Sequence, residues 1–399
     1  MTHAGMSKSF WGMFKETSLA YFFDLGGLFA GFMVASQLGI FQLSPWAIAI
    51  YPAIVSAKGV IGGLLSGRLG TALHLGTVYP RFLKNTKTFY ELIQALIVIT
   101  LVTSVAMSCV SLIFGSLFWG ITFADFPSIL AVILATMALG LIITLVTIKV
   151  AFISFTRGLD PDIVVYPVMS TTADIVITLF YIAVLNIFFF AFLGPWLITF
   201  IALVHVFLVL YILPKNLRQL EFIKTIKESV VTLLFVAFIV NVTGTVLKGI
   251  SNFVESRKEV YTVYPALIDM VGDVGSVVGS TATTKLALGL LSPSFSSIRN
   301  HVKNIFSAWA ASIMMFVILA VLSLSMLGIF SLTSFLNLIL ILLVTNIIAV
   351  ATITLVSYAV SILTFSRGLD PDNFVIPLES SLADSLTTIA LLIALIMMG

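Results

Sequence analysis

The sequence predicts an all-α integral membrane protein made of two parallel five-helix repeats joined by one extra transmembrane helix. Three observations support this fold class: the composition, the length of the apolar segments and an internal duplication. Of the 399 residues, 60% are hydrophobic and only 9% are charged, whereas a soluble domain carries about a quarter charged residues. Lipid must therefore cover most of the surface. Segments that cross it must be helices, because backbone polar groups cannot stay unpaired in hydrocarbon.

Apolar segments long enough to cross a bilayer, roughly 20 residues each, recur along the whole chain. We predict about eleven spans, at about 17–40, 46–75, 89–119, 127–155, 161–190, 196–213, 228–250, 260–290, 303–328, 333–363 and 371–398. The first segment contains Asp24 and lacks a small-residue cleavage site, so we interpret it as a membrane helix and not as a signal peptide.

Basic residues are distributed unevenly over the predicted loops. If the N-terminus and every second loop share one side, that side holds thirteen basic residues, and the other holds only Lys248, Arg257 and Lys258. Because positive loops remain in the cytoplasm, we expect the N-terminus inside and the C-terminus outside, in the plasma membrane. The net charge of +3 gives no indication of a nucleic-acid partner, and the single Cys109 excludes a disulfide framework.

An internal repeat divides the chain. Residues 156–174 (TRGLDPDIVVYPVMSTTAD) return as residues 366–384 (SRGLDPDNFVIPLESSLAD), and residues 51–76 resemble residues 264–289. The two offsets, 210 and 213 positions, are nearly equal, which indicates a duplication.

The repeat predicts three regions and their orientation. They are a first repeat over 1–195, a connector helix and loop over 196–227, and a second repeat over 228–399. The connector returns the chain to its starting side, so the two repeats face the same way, related by an axis along the membrane normal. A single chain is then expected to function as a dimer of half-sized chains would.

Two aspartates are the main candidate ion ligands. Asp174 and Asp384 each lie thirteen residues after the proline that begins their helix, about 20 Å along it, and so near the middle of the bilayer. A charge there costs about 3 kcal/mol, so each carboxylate should face a partner or a water-filled path. Ser170 and Ser380 lie four residues earlier on the same faces. Alternatively, each aspartate is protonated and bonds between helices.

Further acids lie in the second repeat. Asp269 and Asp273 form an i,i+4 pair on its second helix, and Glu379 lies on its last helix. The first repeat has Ser56 and Val60 in place of the two aspartates, so the predicted acidic lining is uneven. Alternatively, these acids pair with the basic residues inside predicted helices: Lys58, Arg68, Lys149 and Lys285.

The candidate ligands favour a hard metal ion. Carboxylates and hydroxyls suit magnesium, calcium or manganese, whereas four scattered histidines and one cysteine disfavour zinc and copper. Magnesium keeps several waters and can be held by one or two carboxylates. We therefore expect a divalent metal ion, magnesium first, as the transported substrate and not as a cofactor, with membrane lipid as the other partner.

The two repeated segments resemble a known family. The pattern G-x-D-P-D-x-x-x-x-P-x-x-[ST]-[ST]-x-x-D resembles the last membrane helix of MgtE-type magnesium transporters. KGVIGGLLSGRLGTALHLG (58–76) resembles the second helix of their eukaryotic solute-carrier relatives, KGN…SRLSTA. The resemblance implies a pore where the two halves meet, with Asp174 and Asp384 binding the ion.

The resemblance also carries over the glycine-rich second helices, at Gly59, Gly62, Gly272 and Gly275. Small residues at this spacing are typical of close helix packing. The Asn of the family pattern is Val60 in the first repeat and Asp273 in the second. Only about 16 residues precede the first predicted helix, so we expect no cytoplasmic sensor region like that of bacterial MgtE proteins.

Three alternatives remain at this point. The protein could exchange protons or sodium for its substrate, because acids in the middle of a membrane also serve proton relays. It could be an intramembrane aspartyl protease, since Pro265–Leu267 reads PAL, although no G-x-G-D motif occurs. It could also be a membrane scaffold that transports nothing.

Overall fold

The computed structural model describes residues 10–74, 76–157, 161–253, 257–287, 289–367 and 372–398. Within these ranges the regular structure is helical and no strand occurs, which confirms the predicted all-α class. Nine helical segments in the described chain are long and apolar enough to cross a membrane. The second helices of the two repeats are not among them, because they are richer in glycine and polar residues.

The first repeat begins with an interrupted helix, and its fourth span is also interrupted. Its helices are α1 (Phe10–Tyr21), α2 (Gly27–Ser36), α3 (Leu38–Phe41), α4 (Tyr51–His74), α5 (Lys87–Phe114), α6 (Phe126–Leu139), α7 (Ile142–Thr156) and α8 (Pro161–Phe190). A 3-10 turn at Phe23–Gly26 separates α1 from α2. The connector helix follows as α9 (Gly194–Asn216).

The second repeat consists of five longer helices. They are α10 (Leu220–Phe253), α11 (Lys258–Ala287), α12 (Val302–Met326), α13 (Leu332–Ser366) and α14 (Asp372–Met398). Their bounds agree with the predicted spans to within several residues. Two predicted spans of the first repeat are instead interrupted, at the 3-10 turn and between α6 and α7.

Local sequence accounts for several helix ends. Thr86 caps α5 by accepting a hydrogen bond from the Phe89 amide (3.4 Å), and Ser331 caps α13 through the Ser334 amide (3.0 Å). A hydroxyl at this position satisfies one of the free amides of the first helical turn. Gly76 and Gly289 follow α4 and α11 with φ of 69°, a conformation that favours glycine.

The chain forms two compact units that cut across the sequence repeats. We call Met1–Phe32 with Arg257–Gly399 the C-terminal unit, and Met33–Ser256 the central unit. In the C-terminal unit, α1 packs on α12 and α11. In the central unit, α10 packs on α5 and α4. The first helix of each repeat therefore packs with the later helices of the other repeat.

Two glycines at equivalent positions, 213 residues apart, permit this exchange. A Cβ on Gly31 would collide with the carbonyl oxygen of Thr262, and a Cβ on Gly244 would collide with that of Ala49. Thr262 and Ala49 are themselves 213 positions apart. Each first helix thus approaches a neighbouring backbone as closely as only glycine allows. The predicted regions, with boundaries at 195 and 227, concern the duplication of the sequence and not these compact units. They stay a prediction.

Each unit is packed around its second helix. In the C-terminal unit, α11 contacts α12, α13 and α14, and contributes Val263, Leu267 and Val274 to the buried core. In the central unit, α4 contacts α8, α10 and α7, with Ile54 and Leu65 buried. These pairs, α4 with α8 and α11 with α14, hold the predicted site residues.

Candidate ion-binding residues

The two motif aspartates lie deep in their units. Asp174 on α8 is 4% exposed and Asp384 on α14 is 7% exposed. The start of α8 at Pro161 is as predicted, whereas residues 158–160 and 368–371 of the two motifs lie outside the described residues. Burial penalises a charged carboxylate, and the two equivalent acids are buried to nearly the same extent.

A tyrosine–threonine hydrogen bond joins the second helix to the last helix in each repeat. The Tyr51 hydroxyl is 2.8 Å from Thr178 Oγ1, and the Tyr264 hydroxyl is 2.9 Å from Thr388 Oγ1. Each threonine comes four residues, one helical turn, after the motif aspartate. The bond therefore helps to fix how the last helix is rotated about its own axis, one turn away from its aspartate.

Sequence analysis missed these four residues as part of the site. The available signal was the Tyr–Pro pair that begins both repeated segments, at 51–52 and 264–265, and a threonine four residues after each motif aspartate. In the C-terminal unit the Thr388 hydroxyl also donates to the Asp384 carbonyl oxygen at 2.6 Å.

The C-terminal unit gathers further acids along α11. Asp269 and Asp273 are partly buried. Next to Asp273, a Cβ on Gly272 would lie 3.6 Å from the Ala383 Cβ, so α11 and α14 pack closely beside Asp384. Asp24, 6% exposed, lies in the 3-10 turn at Phe23–Gly26, which also packs on α11.

The remaining predicted ligands are Ser170, Glu379 and Ser380, and the structure describes only the first of these side chains. Ser170 is partly buried on α8. Glu379 and Ser380 lie on α14, but their side chains are outside the described part of the structure, so their role stays a prediction.

The predicted close packing at glycine differs between the two second helices. Gly272 is in van der Waals contact with α14, as expected. A Cβ on Gly59 or Gly62 would meet no described atom within 4 Å, so the packing interpretation stays a prediction for this pair.

Lys58 is a buried cation in the central unit. It is 2% exposed, and its Cε lies 2.6 Å from where a Cβ on Gly140 would stand. Gly140 lies between α6 and α7, where amides of Leu141 and Ile143 bond to carbonyls three residues back, at 3.1 Å each. The missing side chain of Gly140 gives the lysine its room.

The predicted pairing of acids with the basic residues inside the helices is not found at two of the four, as far as the described chain extends. Among the described residues, no carboxylate pairs with Lys58 or Lys285. The Lys285 ammonium donates to Asn304 Oδ1 at 2.8 Å and lies 3.2 Å from His301 Nδ1. Arg68 donates to Thr225 Oγ1 at 2.6 Å, and Lys149 is exposed.

Within the described chain, no three His, Cys, Asp or Glu side chains form a metal-holding group.

Two stretches of the chain, residues 51–184 and 264–394, match the sequence profile of the MgtE family of divalent cation transporters. The chain belongs to this family. The matched stretches begin at Tyr51 and Tyr264, the tyrosines of the two interhelical hydrogen bonds, and each includes one motif aspartate. No curated protein and no solved structure matches the chain.

Membership makes the protein a transmembrane divalent cation transporter, which confirms the family suggested by the sequence motifs. MgtE proteins are transporters and not enzymes, so the protease interpretation loses its basis. The matched stretches hold the second to fifth helices of each repeat. The exchanged first helices and the connector α9 lie outside them.

Proposed function

We propose that this MgtE-family protein transports magnesium in preference to other divalent cations, with Asp174 and Asp384 as ligands of the passing ion. The observation that carries the proposal is the pair of equivalent, almost fully buried carboxylates, each one turn before a tyrosine–threonine bond. A bound cation offsets part of the cost of burying a carboxylate. A symmetric pair of such groups suits one ion that receives a ligand from each repeat.

The chemistry of the donors supports magnesium. The predicted ligands are carboxylates and the hydroxyls of Ser170 and Ser380, all hard oxygen donors. Because magnesium gives up its water reluctantly, one or two carboxylates can hold it through its hydration shell. Asp269 and Asp273 raise the negative charge along α11 and would increase the local concentration of divalent cations.

The sequence symmetry suggests where the ion passes and which way the protein faces. Two parallel repeats predict a pathway between them, about an axis along the membrane normal. The basic loops predict a cytoplasmic N-terminus and an outer C-terminus, and we assign the protein to the plasma membrane. With both repeats in one polypeptide, a single chain is proposed to suffice for transport.

Magnesium flux into proteoliposomes tests the proposal. We expect Asp174→Asn and Asp384→Asn each to lower the flux at least about tenfold, which corresponds to about 1.4 kcal/mol of lost stabilisation. Asp125→Asn is the matched control, because Asp125 caps a short loop helix by accepting from the Thr122 amide. Normal flux in either test variant, with the protein folded and inserted, would overturn the assignment.

Exchange for protons or sodium is the second candidate. Lys58 favours it, because buried ionisable groups inside membranes serve proton relays, and no carboxylate pairs with this amine in the described chain. Flux measured with and without imposed sodium and proton gradients separates the two. An exchanger requires the gradient of its second ion, whereas a channel runs on the magnesium gradient and membrane potential alone.

A further inference from the structure

A group of exposed basic side chains lies at one end of the central unit, separate from the buried acids. We call it the basic corner, and it consists of Arg81, Lys84, Lys87, Lys215 and Arg218, all exposed. Arg81 and Lys84 belong to the loop between α4 and α5, and Lys87 begins α5. Lys215 lies in the last turn of α9, and Arg218 in the turn between α9 and α10.

The loop that carries Arg81 and Lys84 is held mainly by the side chain of Asn85. The Asn85 carboxamide donates to the carbonyl oxygens of Tyr79 (2.8 Å) and Arg81 (2.6 Å), and it accepts from the Tyr79 amide (3.0 Å). Tyr90 adds a bond from its hydroxyl to the Phe82 carbonyl at 3.2 Å. Lys84 is held at φ 55°, a left-handed conformation that is uncommon for a residue with a side chain.

A direct bond brings the two parts of the basic corner together. Lys87 Nζ donates to Gln219 Oε1 at 2.8 Å, which joins the start of α5 to the turn before α10. Two of the cations lie over aromatic rings, Arg81 at 4.9 Å from the centre of Tyr79 and Lys215 at 3.4 Å from the centre of Tyr211. Among the described side chains, Glu91 pairs with this group, 3.3 Å from Lys87.

The position along the chain places the basic corner at the membrane surface. Two candidate spans meet here, one starting at Lys87 and one ending at Asn216. The tyrosines under the cations are typical of the headgroup level, where aromatic rings concentrate. Beside them, Leu83 is 80% exposed and Leu220 is 86% exposed, so apolar side chains project next to the positive charges.

The equivalent loop of the C-terminal unit is built differently. It contains Ser292, Ser294 and Ser296, whose hydroxyls bond to one another at 3.0 and 3.1 Å. Between Gly289 and His301 its basic residue is Arg299, with Lys303 following at the start of α12. The loop therefore provides a matched surface of lower charge within the same protein.

We propose that the basic corner binds the phosphate headgroup of an anionic phospholipid, with Leu83 and Leu220 against its acyl chains. Phosphate accepts hydrogen bonds from guanidinium and ammonium donors, and juxtamembrane basic residues attract anionic lipids. The lipid is preferred to free phosphate because the exposed leucines lie directly beside the cations.

Lipid binding to the full-length protein in detergent, followed by native mass spectrometry with phosphatidylglycerol and phosphatidylcholine, tests the proposal. We expect the wild type to retain phosphatidylglycerol over phosphatidylcholine, and Lys84→Gln with Arg218→Gln to lose at least about half of that preference. Replacing all five residues with Gln should abolish it. The control is Arg299→Gln with Lys303→Gln in the equivalent loop, which should behave as wild type.

Three outcomes would overturn the proposal. One is equal retention of both lipids by the wild type. Another is an equal loss of preference in the control, which would mean that any surface charge suffices. The third is displacement of the lipid by millimolar inorganic phosphate, which would assign the site to the free anion. The double variant leaves the bonds of Asn85 and Lys87 intact, so it tests the proposal even if the fivefold variant does not fold.

Discussion

The C-terminal unit carries acids along its second helix, whereas the central unit carries a buried lysine at the corresponding level. Asp269 and Asp273 of α11 correspond to Ser56 and Val60 of α4, and Lys58 corresponds to Val271 in the buried core of the C-terminal unit. The two repeats thus keep the same motif aspartate and the same tyrosine–threonine bond while differing in the charge around them.

The two repeats also differ in the continuity of their helices. The fourth span is interrupted beside Gly140 in the first repeat and is continuous as α13 in the second. The first helix is interrupted near Asp24 in the first repeat and is continuous as α10 in the second. In a homodimer both halves must be identical. A duplicated chain can instead keep the buried lysine in one half and the additional acids in the other.

The largest expected effect concerns a feature that both units share. Gly31→Ala and Gly244→Ala should each strongly destabilise the protein, by about 3 kcal/mol or more, because the new Cβ collides with backbone that cannot move aside. Thermal unfolding in detergent measures the effect. Gly249→Ala is the control on α10, since its Cβ meets no described atom within 4 Å. An unchanged Tm for Gly244→Ala would contradict the exchanged packing of the first helices.

The next effect tests the difference in acidic charge. Replacing both Asp269 and Asp273 with Asn should lower magnesium flux about tenfold at low magnesium, because fewer cations accumulate along α11. The reduction should shrink at saturating magnesium, which a concentration series in proteoliposomes reveals. Equal loss at all concentrations would assign the two acids to the fold or to the transport step itself.

A smaller effect is expected at the buried lysine. Lys58→Met should raise the stability by about 1 kcal/mol, because a methionine of similar length needs no compensating charge in an apolar environment. Lys149→Met, at an exposed position on α7, should change the stability by less than about 0.5 kcal/mol. Chemical unfolding of both variants in the same detergent checks the difference. A marked loss of stability in Lys58→Met would show that the amine has an essential bonding partner.

A further effect, which develops only as the pH falls, concerns His301, which precedes α12 outside the spans. Burial and the nearby Lys285 charge lower the pKa of His301 to about 4. The neutral ring fits its contacts, since Nε2 donates to the Val278 carbonyl (3.1 Å) and Nδ1 accepts from Lys285 (3.2 Å). In the unfolded chain the histidine gains its proton near pH 6.5. Stability should therefore fall as the pH drops from 6.5 towards 4, by up to about 1.4 kcal/mol per pH unit.

Unfolding followed between pH 7 and pH 4.5 measures this dependence. The control is His301→Gln, which keeps a donor and an acceptor but does not titrate, and which should flatten the pH profile. An identical profile in the variant would assign the dependence to other groups.

The sequence allowed most helices to be located, because apolar length and loop charge are local properties. It also located Asp174 and Asp384, since a repeated motif marks equivalent positions. It did not reveal that the first helices exchange between repeats, because a helix that is apolar on all sides carries no sign of its neighbour. Gly31 and Gly244 are visible as an equivalent pair only once their contacts with Thr262 and Ala49 are known.

The break beside Gly140 was missed for a related reason. Glycine is common in membrane helices, and nothing in the sequence links this one to Lys58, which lies 82 positions earlier. The tyrosine–threonine bonds also depend on tertiary structure, since residues 51 and 178 are 127 positions apart. The roles of such residues depend on contacts between distant parts of the chain, whereas the motif aspartates can be recognised from the repeat alone.

The most direct test of the central claim is magnesium flux through Asp174→Asn, Asp384→Asn and the double variant, measured side by side in proteoliposomes. If both carboxylates bind one ion, each single substitution removes most of the flux, and the double variant is little worse than either one. If their effects instead multiply, or if either single variant transports at the wild-type rate, the two aspartates do not share an ion and the proposed site is wrong.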